Sequence, residues 1–485
     1  MPDTPNHGYN VPSEGTEDWH VPLNDNIEQF DTDVEIRDTD GNKGNYDPAA
    51  GAKFLATDTG VVYVGDGSAW EPALVLPRFS PASSGGDAGS VVFGHHTNTV
   101  ASDVDGATIS GGGLDHSQNP GPNQVSADYG TIGGGHTNGV NGYAGTVAGG
   151  ISNETDGVCA SVCGGIDNTS SSNHAAIGGG TGNTASHIGA FIGGGSGNEA
   201  TGGKAVVGGG VANTCSGYQA IVGGGNDNTA SGSGSTIGGG GGNVASSSHA
   251  TVAGGASNEA SEDYATIPGG YFNEATGRYS FAAGNKAKAS ADGAFVWGDS
   301  SNSKVASTQA NEFKVQAGGG AVIFSASDHS AGVHLPPGSG SWTSWSSRAA
   351  KEDFAPVAPE TVLERVNGLD LQTWTYRAQD DEVRHMGPMA EEFAAAFGLG
   401  PDDEHISNVD ADGVALAAIQ GVSDRVDEQA ETIAEQAAVI DDQRETIEAQ
   451  EARLDDQAAT IDALAARVER LEAGDAGGQA PVDAD

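Results

Sequence analysis

Basic residues are scarce in this sequence, and segments long enough to cross a membrane are missing. Among 485 residues there are 20 Lys plus Arg against 66 Asp plus Glu, so the formal net charge is −46. With so few cations the chain has no basic patch to neutralise phosphates, which excludes direct binding to nucleic acid. No apolar run approaches the roughly 20 residues that span a bilayer, so no membrane insertion is expected.

Cysteine is rare as well, with three residues: Cys159, Cys163 and Cys215. An odd number provides no disulfide framework, and no second Cys or His pair stands at the spacing of a zinc site. We expect buried free thiols and predict neither a metal nor a cofactor.

The first 20 residues have no basic segment and no apolar core, so no secretion signal is predicted and assembly in the cytoplasm is expected.

The acidic residues are spread along the whole chain, and the sequence contains only 8 lysines. An acidic surface suits a protein that works in concentrated salt, because screening weakens the repulsion among carboxylates. A disordered acidic tail is the alternative explanation, but it would confine the acid to one segment. We therefore favour a halophilic protein.

Glycine, by contrast, is abundant, with 77 residues, and much of it belongs to a 15-residue repeat between 130 and 284. Ten copies follow one another in strict register, which indicates stacked coils. One asparagine recurs in every copy: Asn138, Asn153, Asn168, Asn183, Asn198, Asn213, Asn228, Asn243, Asn258 and Asn273. Six positions earlier stands a β-branched residue: Ile132, Val147, Val162, Ile177, Ile192, Val207, Val222, Ile237, Val252 and Ile267.

Fifteen residues suit one coil of a β-solenoid or β-roll. The alternation around each Ile or Val predicts a strand whose every second side chain points inward, and alanines such as Ala160 and Ala175 share that face. The glycine pair of each copy is expected to form a sharp turn, since glycine adopts positive φ without steric cost. The asparagine is expected at the second corner, because it tolerates left-handed geometry and bonds nearby backbone.

The repeat "AIGGGTGNTASHIGAFIGGGSGNEA" resembles the head repeats of trimeric autotransporter adhesins, whose left-handed β-rolls associate as trimers. We expect a mainly β protein with a trimeric β-roll or β-solenoid over residues 87–300, followed by a β-rich neck at 301–345. The roll is expected to begin irregularly, with Phe93 and Ile109 in its core. An insertion between Ile109 and Ile132 is predicted as a loop on a binding face or, equally, as a capping irregularity.

Residues 1–86 are predicted to form a separate β-rich attachment module. The stretches "DTDVEIRDTDGN" and "AKFLATDTGVVYVGDGSAWEPAL" alternate apolar and polar residues and break at Asp-Gly turns, which predicts short β-hairpins. The segment "GAKFLATDTGVVYVGDGSAW" resembles N-terminal pieces of viral tail fibres and spikes. The resemblance implies attachment to tail or baseplate proteins of a virion.

The stretch "SWSSRAAKEDFAPVAPETVLERVNGLDLQTWTY", with "RHMGPMAEEFAAAFGLG" and "ISNVDADGVALAAIQGV" after it, resembles the endosialidase-type intramolecular chaperone, the self-cleaving C-terminal peptidase of phage tail spikes. The match covers roughly residues 346–422. The resemblance implies that Ser346 is the nucleophile, that Lys351 is its base, and that the trimer cuts the Trp345–Ser346 bond after folding. A lysine can take the serine proton when burial lowers its pKa.

The family usually has Asp after its serine, whereas this chain has Ser347. The nucleophile is therefore open between Ser346 and Ser347, and a domain that assists assembly and stays attached is the alternative. Arg348 and His385 are expected to support the site, His385 because it matches the family's His-Gly-Pro motif.

A seven-residue period follows and predicts a coiled coil at 423–473, with a disordered acidic tail at 474–485. Apolar residues occupy the a positions: Ile419, Val426, Ile433, Ile440, Ile447, Leu454, Ile461 and Val468. Five successive d positions hold Gln, from Gln429 to Gln457, while the last two are Leu464 and Leu471. The pattern at the C-terminal end favours dimers, but both resemblances imply a homotrimer, which we predict.

These features together predict a homotrimeric tail fibre of a virus of a halophilic archaeon. It would reside in the virion and bind a glycan or glycoprotein of the host surface, for which the insertion near 119–129 is one candidate surface. A fibre of a phage-tail-like injection system is the nearest alternative. A cell-surface trimeric adhesin and a glycan-degrading tail spike are the others; a spike would need paired carboxylates, and Glu154, Glu199, Glu259 and Glu274 are expected only as solvated turn charges.

Overall fold

The computed structural model describes residues 35–75, 78–80, 88–113, 121–380 and 382–475. Its contacts divide the chain into two compact units, of which the first ends at Trp345 and the second begins at Ser346. The start of the predicted attachment module, part of the insertion and the C-terminal tail lie outside the described residues.

The first unit starts with a four-stranded sheet around one buried aromatic residue. Its strands are Glu35–Asp38, Lys53–Ala56, Val61–Gly65 and Trp70–Val75. The last three are consecutive antiparallel neighbours, as predicted, whereas Glu35–Asp38 pairs in parallel with Lys53–Ala56 and is no hairpin arm. Phe54 is fully buried, with the rings of Tyr46, Tyr63 and Trp70 5.6–6.3 Å from its own.

A β-solenoid of stacked coils follows and confirms the expected fold class. Each regular coil places two residues in each of two parallel ladders, so every strand pairs with the strand one coil away. The first ladder contains Ser90–Val92, Thr108–Ile109, Thr131–Ile132, Thr146–Val147, Ser161–Val162, Ala176–Ile177, Phe191–Ile192, Val206–Val207, Ile221–Val222, Thr236–Ile237, Thr251–Val252, Thr266–Ile267, Gly270–Tyr271, Phe281–Asn285, Phe295–Gly298 and Phe313–Gln316, and Arg78–Ser80 pairs antiparallel with its first strand. The second contains Thr99–Val100, Gln124–Val125, Gly139–Val140, Glu154–Thr155, Thr169–Ser170, Thr184–Ala185, Glu199–Ala200, Thr214–Cys215, Thr229–Ala230, Val244–Ala245, Glu259–Ala260, Glu274–Ala275, Ala287–Ala289 and Val305–Ala306.

The core of the solenoid is one column of small and β-branched side chains. The repeated Ile and Val of the first ladder, from Ile132 to Ile267, are at most 1% exposed. Ala160, Ala175 and Ala190 share their face and are buried as well, so the predicted narrow interior is confirmed. A single coil would leave its Ile or Val in water, and burying it between neighbours is worth roughly 1.5–3 kcal/mol. The stack therefore forms cooperatively.

The second glycine of each pair makes the predicted turn. Gly195, for example, has φ +98, and a side chain there would overlap the carbonyl oxygen of Gly210 on the next coil. Glycine is required both for the left-handed backbone and for the close approach of two coils.

The repeated asparagine does not occupy the left-handed corner that we expected. The residue just before it takes that conformation, for example Ser152 with φ +54 and Asp167 with φ +55. The asparagine itself is buried, because its amide group stacks on those of neighbouring coils. In Asn153 and its counterparts, Nδ2 donates to the Oδ1 one coil earlier and to two glycine carbonyls.

The expectation of buried thiols is wrong for two of the three cysteines. Cys159 lies at a turn with φ +55 and Cys163 follows a first-ladder strand, and both are exposed. Cys215 points into the core in place of an alanine, where burial raises the pKa of its thiol to about 11.

At the start of the solenoid, Phe93 is 42% exposed, and Val92 beside it fills the predicted core position, while Ile109 is buried as expected.

Beyond the regular repeat, the two ladders continue to Gln316, first with paired residues such as Phe281 and Phe295 that are 14 positions apart and then with pairs such as Phe295 and Phe313 that are 18 apart. A three-stranded antiparallel sheet then ends the first unit, with strands Ala321–Phe324, Gly332–Leu335 and Thr343–Ser344. Within the region predicted as a neck, the strands Val305–Ala306 and Phe313–Gln316 therefore belong to the solenoid ladders.

The second unit consists of three helices and one small hairpin. Helix α1 spans Pro359–Asn367, strands Gln372–Trp374 and His385–Gly387 pair antiparallel, α2 spans Ala390–Phe397, and α3 spans Asn408–Asp475. Leu363, Phe393, Val414 and Ala418 form its buried positions. The a-position side chains of α3 are exposed along the single chain, as an apolar seam without its partner helices would be. Among the described residues, no helix combines the length and the apolar character that crossing a membrane requires.

Candidate functional site

Trp345, the last residue of the first unit, packs onto the three-stranded sheet. Its ring centroid lies 5.4 Å from that of Phe324 and 6.3 Å from that of His334. The strand Thr343–Ser344, which precedes Trp345, is also bound to His334: Thr343 Oγ1 donates to the His334 carbonyl oxygen at 2.9 Å. The chain is therefore anchored up to the residue that precedes the predicted cleavage point.

The structure brings Ser346 and Lys351 together. A short 3-10 turn at Arg348–Ala350 reverses the chain between them, and Lys351 Nζ donates to Ser346 Oγ at 2.7 Å. That distance suits proton transfer between a serine and a lysine. Both side chains are exposed in the single chain.

Ser347 and Arg348 lie beside this pair but face other groups. Ser347 precedes the 3-10 turn, and its side chain makes no capping hydrogen bond there. The guanidinium of Arg348 lies 4.1 Å from the ring centroid of Phe354, a cation–π contact. Asp353, which directly precedes Phe354, has a left-handed backbone with φ +57, so the chain bends just before the ring that contacts Arg348. Of the two candidate serines, Ser346 is the one that Lys351 contacts, and it is also the one that the family resemblance favours.

His385 belongs to the hairpin of the second unit. Its ring stacks on Trp374 with centroids 4.7 Å apart, and its Nε2 lies 2.8 Å from Gln379 Oε1. In the part of the chain that the structure describes, no contact joins His385 to Ser346 or Lys351. A role of His385 in the site remains a prediction.

Helix α3 approaches α1 most closely at a glycine. A Cβ at Gly421 would lie 2.6 Å from the Pro359 carbonyl oxygen and 3.1 Å from Leu363 Cβ. The other end of α1 is tied to α2, because Arg365 donates to the Ala396 carbonyl oxygen at 2.9 Å. These contacts position the helices that follow the serine–lysine turn.

We expect Gly421→Ala to destabilise the second unit by roughly 1–3 kcal/mol, because its methyl group overpacks the α1–α3 contact. Gly413 in the same helix provides the control: a Cβ there meets nothing within 4 Å, so alanine should stabilise α3 by about 1 kcal/mol through helix propensity. Thermal unfolding of the full chain with Ser346→Ala, which keeps the two units joined, measures both through its helical circular dichroism. Equal stabilisation by the two changes would contradict the close contact.

Carboxylates of the solenoid form a second group of candidate residues. Glu154, Glu199, Glu259 and Glu274 lie on outward positions of second-ladder strands, not in turns as expected. Glu274 accepts from Lys288 Nζ at 2.6 Å and from Lys304 Nζ at 2.8 Å, and these bonds lower the pKa of its carboxyl group. Over the described ranges, no three His, Cys, Asp or Glu side chains gather into a group that could hold a metal ion.

Comparison with known families identifies the segment that contains the serine–lysine pair. A family model described as "chaperone of endosialidase" matches residues 346–399, beginning at Ser346 itself. These residues therefore form a chaperone-of-endosialidase domain, and this domain family implies that the chain assembles as a trimer. No curated protein has a sequence that matches this chain. A β-solenoid joined to such a domain fits a trimeric protein of the tail-spike or tail-fibre kind.

Sequence reasoning missed two members of the asparagine stack and the anchor of Trp345. Asn98 and Asn123 precede the ten copies, yet the backbone N–H of Asn123 donates to Asn98 Oδ1 at 3.0 Å. The spacing of 15 residues between Asn123 and Asn138 was the available signal. The additional residues of the insertion therefore fall before Asn123. Contacts of Trp345 with Phe324 and His334 had no signal in the sequence, since they depend on strand pairing.

Proposed function

We propose that this protein is a homotrimeric tail fibre of a virus of a halophilic archaeon, which attaches the particle to the host surface. Its C-terminal unit drives trimerisation and then cuts itself off. One observation carries this proposal: a Ser346–Lys351 pair opens a chaperone-of-endosialidase domain at the residue where the solenoid-containing unit ends. The N-terminal module would bind tail or baseplate proteins, and the fibre would be assembled in the host cytoplasm.

The pair can perform the cut in two steps. Ser346 Oγ attacks the carbonyl carbon of Trp345 while its proton passes to the neutral amine of Lys351; the C–N bond breaks and its nitrogen takes up a proton. Water then hydrolyses the resulting ester, which restores the serine hydroxyl and leaves a carboxylate on Trp345. Because both side chains are exposed in a single chain, neighbouring chains would have to cover the lysine. Cleavage would then follow assembly.

A groove on the solenoid supplies a candidate surface for the host receptor. It has a volume of about 610 Å³, and Phe272, Lys286, Asn302 and Glu259 are among its lining residues. An exposed aromatic ring beside a lysine and an amide suits a sugar that carries a negative charge. Several weak sites on a trimer, and several fibres on a particle, would add up to firm attachment.

Binding of fluorescently labelled trimers to cells of the candidate host tests the attachment role. We expect saturable binding that free surface glycan competes away and that the double change Phe272→Ala and Lys286→Ala weakens. Trimers that bind no better than a fibre with an unrelated solenoid would refute attachment by this protein. Saturable binding that the double change leaves unaltered would place the receptor site elsewhere, for example at the insertion.

A fibre of a phage-tail-like injection system would have all these features and would differ only in being attached to an injection particle instead of a virion. A glycan-degrading spike is less well supported: hydrogen bonds from two lysines lower the pKa of the Glu274 carboxyl group, whereas a general acid needs a raised pKa. A surface adhesin would require export and an anchor.

The net charge of −46 leads to a further prediction for a halophilic protein. Lowering the salt from molar to millimolar concentrations should decrease the melting temperature of the trimer, because carboxylate repulsion is no longer screened. Thermal unfolding over a NaCl series measures this, and a series in sucrose at low salt separates screening from general stabilisation. A melting temperature that is independent of salt would count against the halophilic assignment.

A further inference from the structure

One surface of the solenoid contains no charged residue. It consists of the residues immediately before and immediately after each buried Ile, Val or Ala of the first ladder, in the strands from Thr131–Ile132 to Phe295–Gly298. We call it the uncharged face. In a chain with 66 acidic residues spread along its length, a surface of this extent without charge needs a specific reason.

The second ladder and the turns of the same coils are charged, whereas the bridging residues between the glycine turn and the repeated asparagine, such as Ile151, Ile166 and Val211, are uncharged as well. The second ladder presents Glu154, Glu199 and Glu259 outward, and the turns carry residues such as Asp167 and Asp227. Copies of a chain with a net charge of −46 repel one another wherever such surfaces meet. On the uncharged face, copies can approach without this repulsion.

The composition of the uncharged face suits close packing. Its outward apolar residues include Phe191 and Ile221, each 43% exposed in the single chain. Towards the C-terminal end, the rings of Phe281 and Phe295 stack at 4.6 Å, and Phe295 stacks in turn at 4.9 Å on Phe313 of the next strand, just beyond the face. The residue after each buried position is mostly Gly or Ala, so two backbones can come near each other. Two apolar clusters, around Phe191 to Ile221 and around Phe281, are thus joined by uncharged threonines, and exposed apolar clusters of this kind mark an interaction site.

We propose that the uncharged face is where the three copies of this chain pack along their common axis. At a three-fold axis the same residue of each chain meets its own copies, so one acidic residue would bring three like charges together. Uncharged residues at every coil are what such an axis demands. The inference rests on the trimerisation that the chaperone domain implies, and not on the attachment role.

Two native cysteines of one coil provide the test. Cys163 lies on the uncharged face, Cys159 lies at the turn, and both are exposed in the single chain. Native trimers, verified by mass, are treated with N-ethylmaleimide and the modified residues are located by peptide mass spectrometry. We expect N-ethylmaleimide to modify Cys159 and not Cys163 in the native trimer, and to modify all three cysteines after denaturation. Equal labelling of both, protection of Cys159 instead, or a monomeric particle would overturn the proposal.

A pair of substitutions tests the same face independently of the thiols. Ile221→Glu places a carboxylate on the uncharged face, and Thr229→Glu places one on the second ladder of the same coil, where glutamate already occurs in other coils. We expect Ile221→Glu to lower the melting temperature of the trimer and Thr229→Glu to leave it nearly unchanged. An unchanged melting temperature for Ile221→Glu would overturn the proposal. Binding to host cells is measured in parallel, so a receptor role for this face would appear as lost binding with an intact trimer.

Discussion

Ser346→Ala is expected to yield an intact chain of 48.4 kDa, whereas the unchanged protein separates into residues 1–345 and 346–485. Alanine has no hydroxyl group to attack the Trp345 carbonyl, so the first step of the cut cannot occur. Intact mass spectrometry of the purified proteins measures this directly. A full-length mass for both proteins would mean that the pair is inactive and that the chaperone and the long helix remain part of the fibre.

Two further variants separate the roles within the turn. Lys351→Arg keeps a positive charge and a donor near Ser346 Oγ, but a guanidinium does not give up its proton, so cleavage should be lost. Ser347→Ala should leave cleavage intact, because Lys351 contacts Ser346. Cleavage that survives Ser346→Ala and stops with Ser347→Ala would assign the nucleophile to the neighbouring serine.

The second large effect is expected from the asparagine stack. In Asn198→Ala, Asn183 Oδ1 and the carbonyl oxygens of Gly194 and Gly210 lose a donor. Asn213 on the next coil loses the acceptor of both its backbone N–H and its amide group. Asn183 Oδ1 keeps the backbone N–H of Asn198, and the Gly210 carbonyl keeps the N–H of Ser196. The Asn213 N–H and the Gly194 carbonyl lose their partners, and each such buried group costs about 1–3 kcal/mol. We expect a loss of at least about 3 kcal/mol per chain, at the upper end for single substitutions.

Asn226→Ala is the matched control for this substitution. Asn226 is an exposed asparagine of the same solenoid whose amide donates to Asp227 at 2.6 Å. Its replacement should change the free energy of unfolding by no more than about 0.5 kcal/mol. Guanidinium unfolding of the assembled fibre, followed by its β-sheet circular dichroism, compares the two. Similar losses for both variants would show that the buried stack is not the source of stability.

Much of the fold could be predicted because the repeat is local and periodic. A period of 15 residues, with Ile192 and its counterparts alternating with outward side chains, specifies a coil and its inward face. The second glycine of the turn was also predictable, since few other residues adopt its backbone conformation. The serine–lysine spacing of five residues was found through family resemblance, and the 3-10 turn explains why this spacing brings Ser346 and Lys351 together.

The roles of individual turn residues could not be predicted in the same way. Asparagine is common both at left-handed corners and in buried amide stacks, and sequence alone does not distinguish the two. The choice is made by the neighbouring coil, which offers Oδ1 one turn away and two glycine carbonyls. Cys159 and Cys163 were misassigned for a related reason: a small residue fits both a packed interior and a turn.

The sequence by itself determined the coil, its period, the heptads and the serine–lysine motif, because each depends on residues close together along the chain. Only the tertiary structure decided that the repeated asparagines stack between coils and how Trp345 is held by Phe324 and His334. These features depend on groups from different coils and strands that meet in space. Their spacing along the chain is set by stacking and strand pairing, so local patterns cannot reveal them.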